Sequence, residues 1–305
     1  MSFIKISKIF LAISAVLVLA SLFLLFIKPG PRFSIEFTGG TLMEVVLPQD
    51  KTKADLEAAL QKYKPLTEEG LGNITVTIVK GETAAASQLI RMRPISNEEH
   101  VSLLAALSKE FPGTQELKFN TIGPSVSASL KERTIVALIV ASLAIISYLA
   151  FAFRTLPRQL NPWKFGFLAI VGCLHDIIVA LGLFVIISQF TSFEFDTLFV
   201  TALLSVMGYS VSDKIVIFDR IRDTIKESKG RDFAQVAGDS LKKSLSRTLN
   251  TGFGALIMLS SLFFLGSESI RWFILALIFG IILGTYSSYF VAAPLLVFWT
   301  KANKK

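Results

Sequence analysis

The stretch Leu198–Arg222 reads LFVTALLSVMGYSVSDKIVIFDRIR. From Leu198 to Phe218 it is apolar enough to span a bilayer, whose hydrocarbon core takes about 20 helical residues, yet Asp213 and Lys214 fall inside it. An ionisable side chain at that depth costs at least about 2.5–3.5 kcal/mol on insertion scales. Asp213 is therefore expected to face the protein interior and to mark an ion or proton path. On a helix Thr201, Ser205, Tyr209 and Asp213 recur at i,i+4, a polar stripe on an otherwise apolar rod. The plainer alternative is an Asp near a helix end, solvated by headgroups. Against it, Asp219, Arg220 and Arg222 already mark the interface about 9 Å further on.

The whole chain agrees with that reading. It has 305 residues, 52% of them hydrophobic, and a mean hydropathy of +0.60, values that belong to an integral membrane protein. The formal charge of +8 is no nucleic-acid footprint, because the basic residues form no single patch and no reader motif accompanies them. Cys173, the sole cysteine, lies in an apolar segment and rules out an internal disulfide framework. No cofactor or metal site is expected.

Six spans follow from the apolar runs: Ile9–Ile27, Thr134–Phe153, Phe165–Ser188, Leu198–Phe218, Leu249–Leu265 and Trp272–Trp299. Lys5 and Lys8 precede the first, within the short start 1–8. Arg154, Arg158 and Lys164 lie between the second and third, and the connection after the fourth is rich in Lys and Arg from Arg220 to Arg247. Lys301, Lys304 and Lys305 close the tail 300–305, whereas Gln189–Thr197 has no basic residue and Gly266–Arg271 only one. With both termini in the cytoplasm every basic loop falls on the same side, as the positive-inside rule requires.

Between the first two spans lies a polar insert, Lys28–Arg133, long enough for a small extracytoplasmic domain. Strands are predicted over Thr41–Leu47, Asn73–Val79 (Ile74, Val76 and Ile78 inward), Ser87–Arg93 and Gln115–Thr121. Helices are predicted over Lys51–Lys64, with Leu56, Leu60 and Tyr63 on one face, and Ser96–Phe111, with Leu104, Leu107 and Phe111 buried and a Ser96/Glu99 capping box. The order βαββαβ suggests a ferredoxin-like α+β sandwich. Nothing in it looks catalytic, and His100 reads as an ordinary surface histidine. In the loop 219–248, Arg231–Arg247 places Phe233, Val236, Leu241 and Leu245 near one face with Lys242, Lys243 and Arg247 beside it. That suggests an amphipathic helix lying along the inner membrane lipids before the fifth span descends, a solvated helix being the alternative.

Polar groups also enter other spans. His175 and Asp176 stand near mid-span in the third; Arg247, Thr248, Asn250 and Thr251 open the fifth. The sixth carries Gly280, Gly284, Thr285, Ser287 and Ser288, with Gly280-x-x-x-Gly284 a helix-packing signature. A proton pathway uses such groups, with Asp213 as carrier and Arg247 as its expected partner. An intramembrane aspartyl protease built on Asp176 and Asp213 would need paired carboxyls; there the second Asp should follow Gly-x-Gly, and here it follows Ser210-Val-Ser212.

Gly208-Tyr-Ser-Val-Ser-Asp213 and Val216-Ile-Phe-Asp-Arg-Ile-Arg222 resemble the fourth-span signature of the SecF family, accessory subunits of the bacterial Sec protein translocase. Phe37-Thr-Gly-Gly-Thr41, Ile122-Gly-Pro124, His175-Asp176, Ser246-Arg-Thr-Leu-Asn-Thr251 and Gly280 through Pro294 agree in the family's order. The resemblance implies a non-enzymatic subunit of the bacterial inner membrane, an RND-like half that pairs with SecD. It implies coupling of the proton motive force to passage of a translocating polypeptide through the SecY channel complex. It points to Asp213, Arg247, Thr248, Asp176, His175, Tyr209, Ser205, Ser287 and Ser288 as proton-pathway residues and to Phe37, Thr38, Gly39 and Gly40 as a hinge-adjacent turn. Phe37–Thr41 as an ordinary hairpin turn is the plainer reading. An RND-type exporter half for a small lipid or drug is the alternative function. Glu36 and Ser212 depart from the family's usual Asp and Asn. Lys214 stands where a small hydroxyl residue is usual; it points about 100° around the helix from Asp213, and either acts on it as a neighbouring charge or snorkels to the inner surface.

Overall fold

The computed structural model describes residues 3–27, 29–48, 50–63, 70–80, 86–152, 162–227 and 232–302. Lys28, Lys64, Phe153, Arg154, Arg158, Arg231, Lys304 and Lys305, all used in the reading above, lie outside them. The chain divides into two compact units, Met1–Arg32 with Ile135–Lys305, and Phe33–Thr134.

The second unit is built on a four-stranded antiparallel sheet. Its elements run α2 (Ile35–Thr38), β1 (Gly40–Val46), α3 (Lys53–Lys62), β2 (Thr75–Lys80), β3 (Ala86–Met92), α4 (Asn97–Glu110) and β4 (Gln115–Ile122). The strands are ordered β2-β3-β1-β4, with Met43 opposite Ile90 and Phe119. Alternation on β1 sends Met43 and Val45 inward, where Leu56, Ala59 and Leu60 of α3 and Leu103 and Leu107 of α4 complete a core with Val76, Ile90 and Phe111. Both helices start with reciprocal capping boxes, Thr52 with Asp55 and Ser96 with Glu99, which satisfy backbone donors the first turn leaves open.

Two expectations in this unit are corrected. Val76 is buried but Ile78 is 55% exposed; alternation sets the face of edge strand β2, not how far along it the helices reach. His100 is no free surface group: its Nε2 lies 2.8 Å from Glu116 Oε1 and its ring stacks on Phe119 at 3.7 Å. The stretch before β1 is a short helix, α2, rather than a hairpin turn. It ends in Gly39 (φ 70°) and Gly40 (φ 122°), where a Gly40 Cβ would stand 2.9 Å from the Met92 carbonyl oxygen. Only glycine takes both the conformation and the close approach.

The other unit is helical. Its elements are α1 (Phe3–Phe26), most of α5 (Pro124–Ala152), α6 (Pro162–Phe190), α7 (Thr197–Glu227), α8 (Phe233–Leu265), α9 (Glu268–Ser287), a π-helical turn η1 (Ser288–Ala292) and α10 (Ala293–Ala302). Six helical stretches among the described residues are long and apolar enough to cross a membrane, α9 through α10 counting as one. The protein is thus a multi-pass membrane protein. Pro124 and Pro162 open their helices, where a missing N–H costs nothing. Pro294 sits just past η1; lacking an N–H and crowding the carbonyl four residues back, it favours the wider turn.

One end of the bundle is closed by Phe184, Phe193, Phe195 and Phe199, with ring centroids 4.7–5.2 Å apart along most of the cluster. At the other end Phe165, Phe218, Ile221, Phe233, Ala237, Leu241 and Leu296 form one core. That core corrects the expected interfacial helix. Phe233 to Leu265 is a single unbroken helix whose first turns bury Phe233, Val236 and Leu241 against protein, while Leu245 is 42% exposed. From residue 233 to 245 the helix direction drifts by about 120°, which carries Leu245 off the buried face.

Candidate functional site

Glycines let three helices meet closely enough to seal polar groups between them. A Cβ on Gly280 of α9 would lie 2.0 Å from Val206 Cγ2 of α7, and one on Gly284 would lie 3.2 Å from Ser210 Cα. On α6, a Gly172 Cβ would lie 2.2 Å from Lys214 Cε. The lysine stem therefore occupies a notch that only glycine leaves open.

Lys214 is fully buried. Its Nζ donates to Asp176 Oδ2 at 3.1 Å, to Ser287 Oγ at 3.0 Å and to Ser210 Oγ. The Ser210 and Ser287 hydroxyls also donate to Asp176 Oδ2, at 2.5 and 2.7 Å. The other carboxylate oxygen, Asp176 Oδ1, is 3.0 Å from His175 Nδ1. A buried ion pair holds only when its remaining polar sites are satisfied, and here both serines and the histidine do that. Lys214 thus neither snorkels to the surface nor stands apart from the bundle. A buried lysine is served by the interior when a carboxylate lies within reach.

Asp213, one residue earlier, faces a different neighbour. It is 9% exposed and accepts a hydrogen bond from Thr285 Oγ1 of α9 at 3.0 Å. The expected pairing with Arg247 is not present: Arg247 is exposed on α8, and no ion pair joins it to Asp213 among the described residues. Nor do Asp176 and Asp213 form a proton-sharing dyad, since Lys214 and Thr285 hold them separately. Thr248 and Ser244 lie together under the Tyr289 hydroxyl, at 3.2 and 3.1 Å.

The expected polar stripe on α7 splits. Asp213 is buried and Tyr209 half-buried, but Thr201 and Ser205 are exposed, and their hydroxyls donate back to the carbonyls of Thr197 and Thr201. Four residues advance a helix about 40° past a full turn, so three such steps swing Thr201 about 120° from Asp213. Ser288 is buried and donates to the Gly284 carbonyl at 2.7 Å. Phe37, Thr38, Gly39 and Gly40 belong to the other unit, in α2 and the entry to β1. A groove of about 390 Å³ between α8 and α9, lined by Thr248, Asn250, Gly252, Phe253, Ile281 and Thr285, reaches the residue that holds Asp213. Among the described residues no cluster of three His, Cys, Asp or Glu side chains could hold a metal ion.

Ser210 and Gly172 are the site residues that span-by-span reading misses. Their signal is a matched spacing: Gly172 and Asp176 on α6, Ser210 and Lys214 on α7, each a small residue one turn from a charge.

Fold and site together define a six-span membrane protein with an ion pair and a further carboxyl enclosed by its helices. Residues 103–302 match the family described as protein export membrane protein SecD/SecF, C-terminal. The protein translocase subunit SecF of Thermobaculum terrenum is 38% identical over 272 residues, covering 88% of this chain and 85% of that one. The protein translocase subunit SecDF of Thermus thermophilus is 32% identical over 90% of this chain, but this chain covers only 35% of it. The crystal structure of SecDF, a translocon-associated membrane protein from the same organism, superposes with a TM-score of 0.81 at 28% identity. That match takes in 99% of this chain and 39% of the SecDF chain. This chain belongs to the SecD/SecF family.

Proposed function

We propose that this chain is a SecF-type subunit that joins a SecD partner in the bacterial inner membrane and uses the proton motive force to assist polypeptide passage through the SecY channel. Both termini would lie in the cytoplasm, and the Phe33–Thr134 unit outside it. The βαββαβ chain order with strands ordered β2-β3-β1-β4 supports reading that unit as ferredoxin-like. The names of the relatives support the pairing: SecF occurs both as a separate subunit and within a SecDF chain.

The observation that carries the proton reading is Asp213, a carboxyl buried in the bundle with one neutral partner, Thr285, on another helix. Protonation there exchanges a charge for a hydroxyl at the α7–α9 contact and changes how the two helices pack. Arg247, exposed on α8, would pair with the ionised carboxylate only in a second arrangement of the bundle. Within the Phe33–Thr134 unit, the end of α2 and the entry to β1 at Phe37–Gly40 would be the hinge-adjacent stretch. One proton moved through 100 mV supplies about 2.3 kcal/mol, a bias of roughly fiftyfold between two arrangements. Asp213→Asn is expected to leave the protein inserted and bound to SecD while abolishing proton-dependent stimulation of export in membrane vesicles. Full stimulation in that variant would remove Asp213 from the mechanism.

A further inference from the structure

Lys214 changes what its neighbours can do with protons. Asp176 receives a full cation and two hydroxyls on Oδ2, a set of donors that suits only the ionised carboxylate. An ionised carboxylate accepts and cannot donate, so the bond between Asp176 Oδ1 and His175 Nδ1 requires the imidazole proton on Nδ1. The one basic position left on the ring is Nε2. It is buried, on a residue only 5% exposed, and has no hydrogen-bond partner among the described residues.

We propose that His175 Nε2 is a proton-accepting site inside the bundle, kept free because Lys214 holds Asp176 as an anion and Asp176 holds the other ring proton on Nδ1. Lys214 and Asp176 are positioning residues in this scheme; the ligand is a proton delivered by water, and the bond formed is Nε2–H. The titratable groups in the interior of the packed elements include Lys214, Asp213 and Tyr209 from α7, Tyr286 from α9, Tyr289 from η1, and Cys173 and Asp176 on α6 itself, while Lys8 of α1 is exposed. From α1 the Ser14 hydroxyl lies 3.0 Å from the Tyr286 hydroxyl, which donates to the Phe10 backbone carbonyl at 3.2 Å. Tyr286 stacks beside the imidazole at 6.1 Å. Asp176 and Lys214 cancel, which leaves Asp213 and His175 as the groups whose protonation sets the net charge of this interior. A neutral carboxyl with a neutral imidazole, and a carboxylate with an imidazolium, carry the same total charge. The bundle can therefore hold one proton at either place without burying a net charge.

The inference rests on the proton-coupled reading for its purpose, but its test is independent of Asp213. The chain has two histidines, so the full-length protein labelled with 15N-histidine in lipid bilayers gives two sets of ring signals in solid-state NMR, and His100→Gln assigns them. At neutral pH His175 is expected as the Nδ1–H tautomer with bare Nε2, gaining the second proton on acidification. An Nε2–H tautomer at neutral pH overturns the proposal, as does an Nε2 that stays bare until the protein unfolds. In Lys214→Met, with Asp176 left without its cation, the share of His175 carrying its neutral-pH proton on Nδ1 is expected to fall; an unchanged tautomer overturns the part given to Lys214. The tautomer of the unsubstituted chain decides the proposal even if that variant fails to insert. Loss of export in Asp213→Asn with His175 titrating normally, or the reverse, separates the two readings.

Discussion

Gly172→Ala tests the fit of Lys214 most directly. The new methyl carbon would stand 2.2 Å from Lys214 Cε and 3.2 Å from Nζ, where carbon contacts settle at about 3.5–4 Å. The stem must retreat by roughly 1.3 Å or more. Lys214 is fully buried. A retreat of that size takes the 3.1 Å contact with Asp176 beyond ion-pair range. Overpacking of a core costs about 1–3 kcal/mol, and breaking a buried pair about 3–5 kcal/mol. Helix shifts relieve part of both, so a loss of about 3 kcal/mol is expected. Cys173 supplies a native probe: it is the only cysteine, it adjoins the substituted residue, and it is buried with Sγ 3.8 Å from Ser210 Oγ. In Gly172→Ala, labelling of Cys173 by a membrane-permeant maleimide should accelerate and the thermal unfolding midpoint should fall. Adding Lys214→Thr, which vacates the notch and keeps a hydroxyl near Asp176, should restore part of the loss. Unchanged thiol protection and unchanged melting in the single variant would refute the reasoning.

Gly280→Ala would put a Cβ 2.0 Å from Val206 Cγ2 and 2.9 Å from its Cβ. Valine is stiff at χ1, so α7 and α9 must part, at a cost of about 1–3 kcal/mol read as a lower melting point in detergent and partly reversed by Val206→Ala. In the other unit, the Thr52 backbone N–H and then its hydroxyl hold the Asp55 carboxyl below the usual range. A lowered folded-state value means the stabilising contact is complete above the ordinary Asp range and is lost as pH falls through the lowered value. Hydrogen exchange in the first turn of α3 should therefore quicken only in strong acid, and in Asp55→Ala it should be fast throughout with no such step.

The spans were legible because about 20 apolar residues in a row leave few alternatives in a bilayer. The Ser96/Glu99 capping box was legible because it is formed by residues three positions apart. Period-two and helical spacing likewise conveyed the strand and helix order around Met43, Leu56 and Leu107. What was not legible is the rotation of each span about its own axis. Asp213 and Lys214 are separated by about 100° whatever the fold, so one of them had to meet α6 if the other met α9. Nothing within α7 says which. The answer lies on other helices, in Gly172, whose missing side chain makes room, and in Asp176, which supplies the opposite charge. Arg247 misleads for the same reason: its depth is suited to Asp213, but its direction on α8 is outward.

The unbroken course of α8 sets a scale for mechanical work. Its 33 residues make a rod about 50 Å long, some 20 Å more than the hydrocarbon layer is thick. Because no hinge interrupts it, the projecting turns cannot stay still while the embedded turns lean. A 10° lean about the bilayer midplane would sweep the far tip through about 6 Å. Small adjustments beside Thr248 and Gly252 would thus be magnified into a stroke outside the membrane, on the side of the bilayer that holds Phe233.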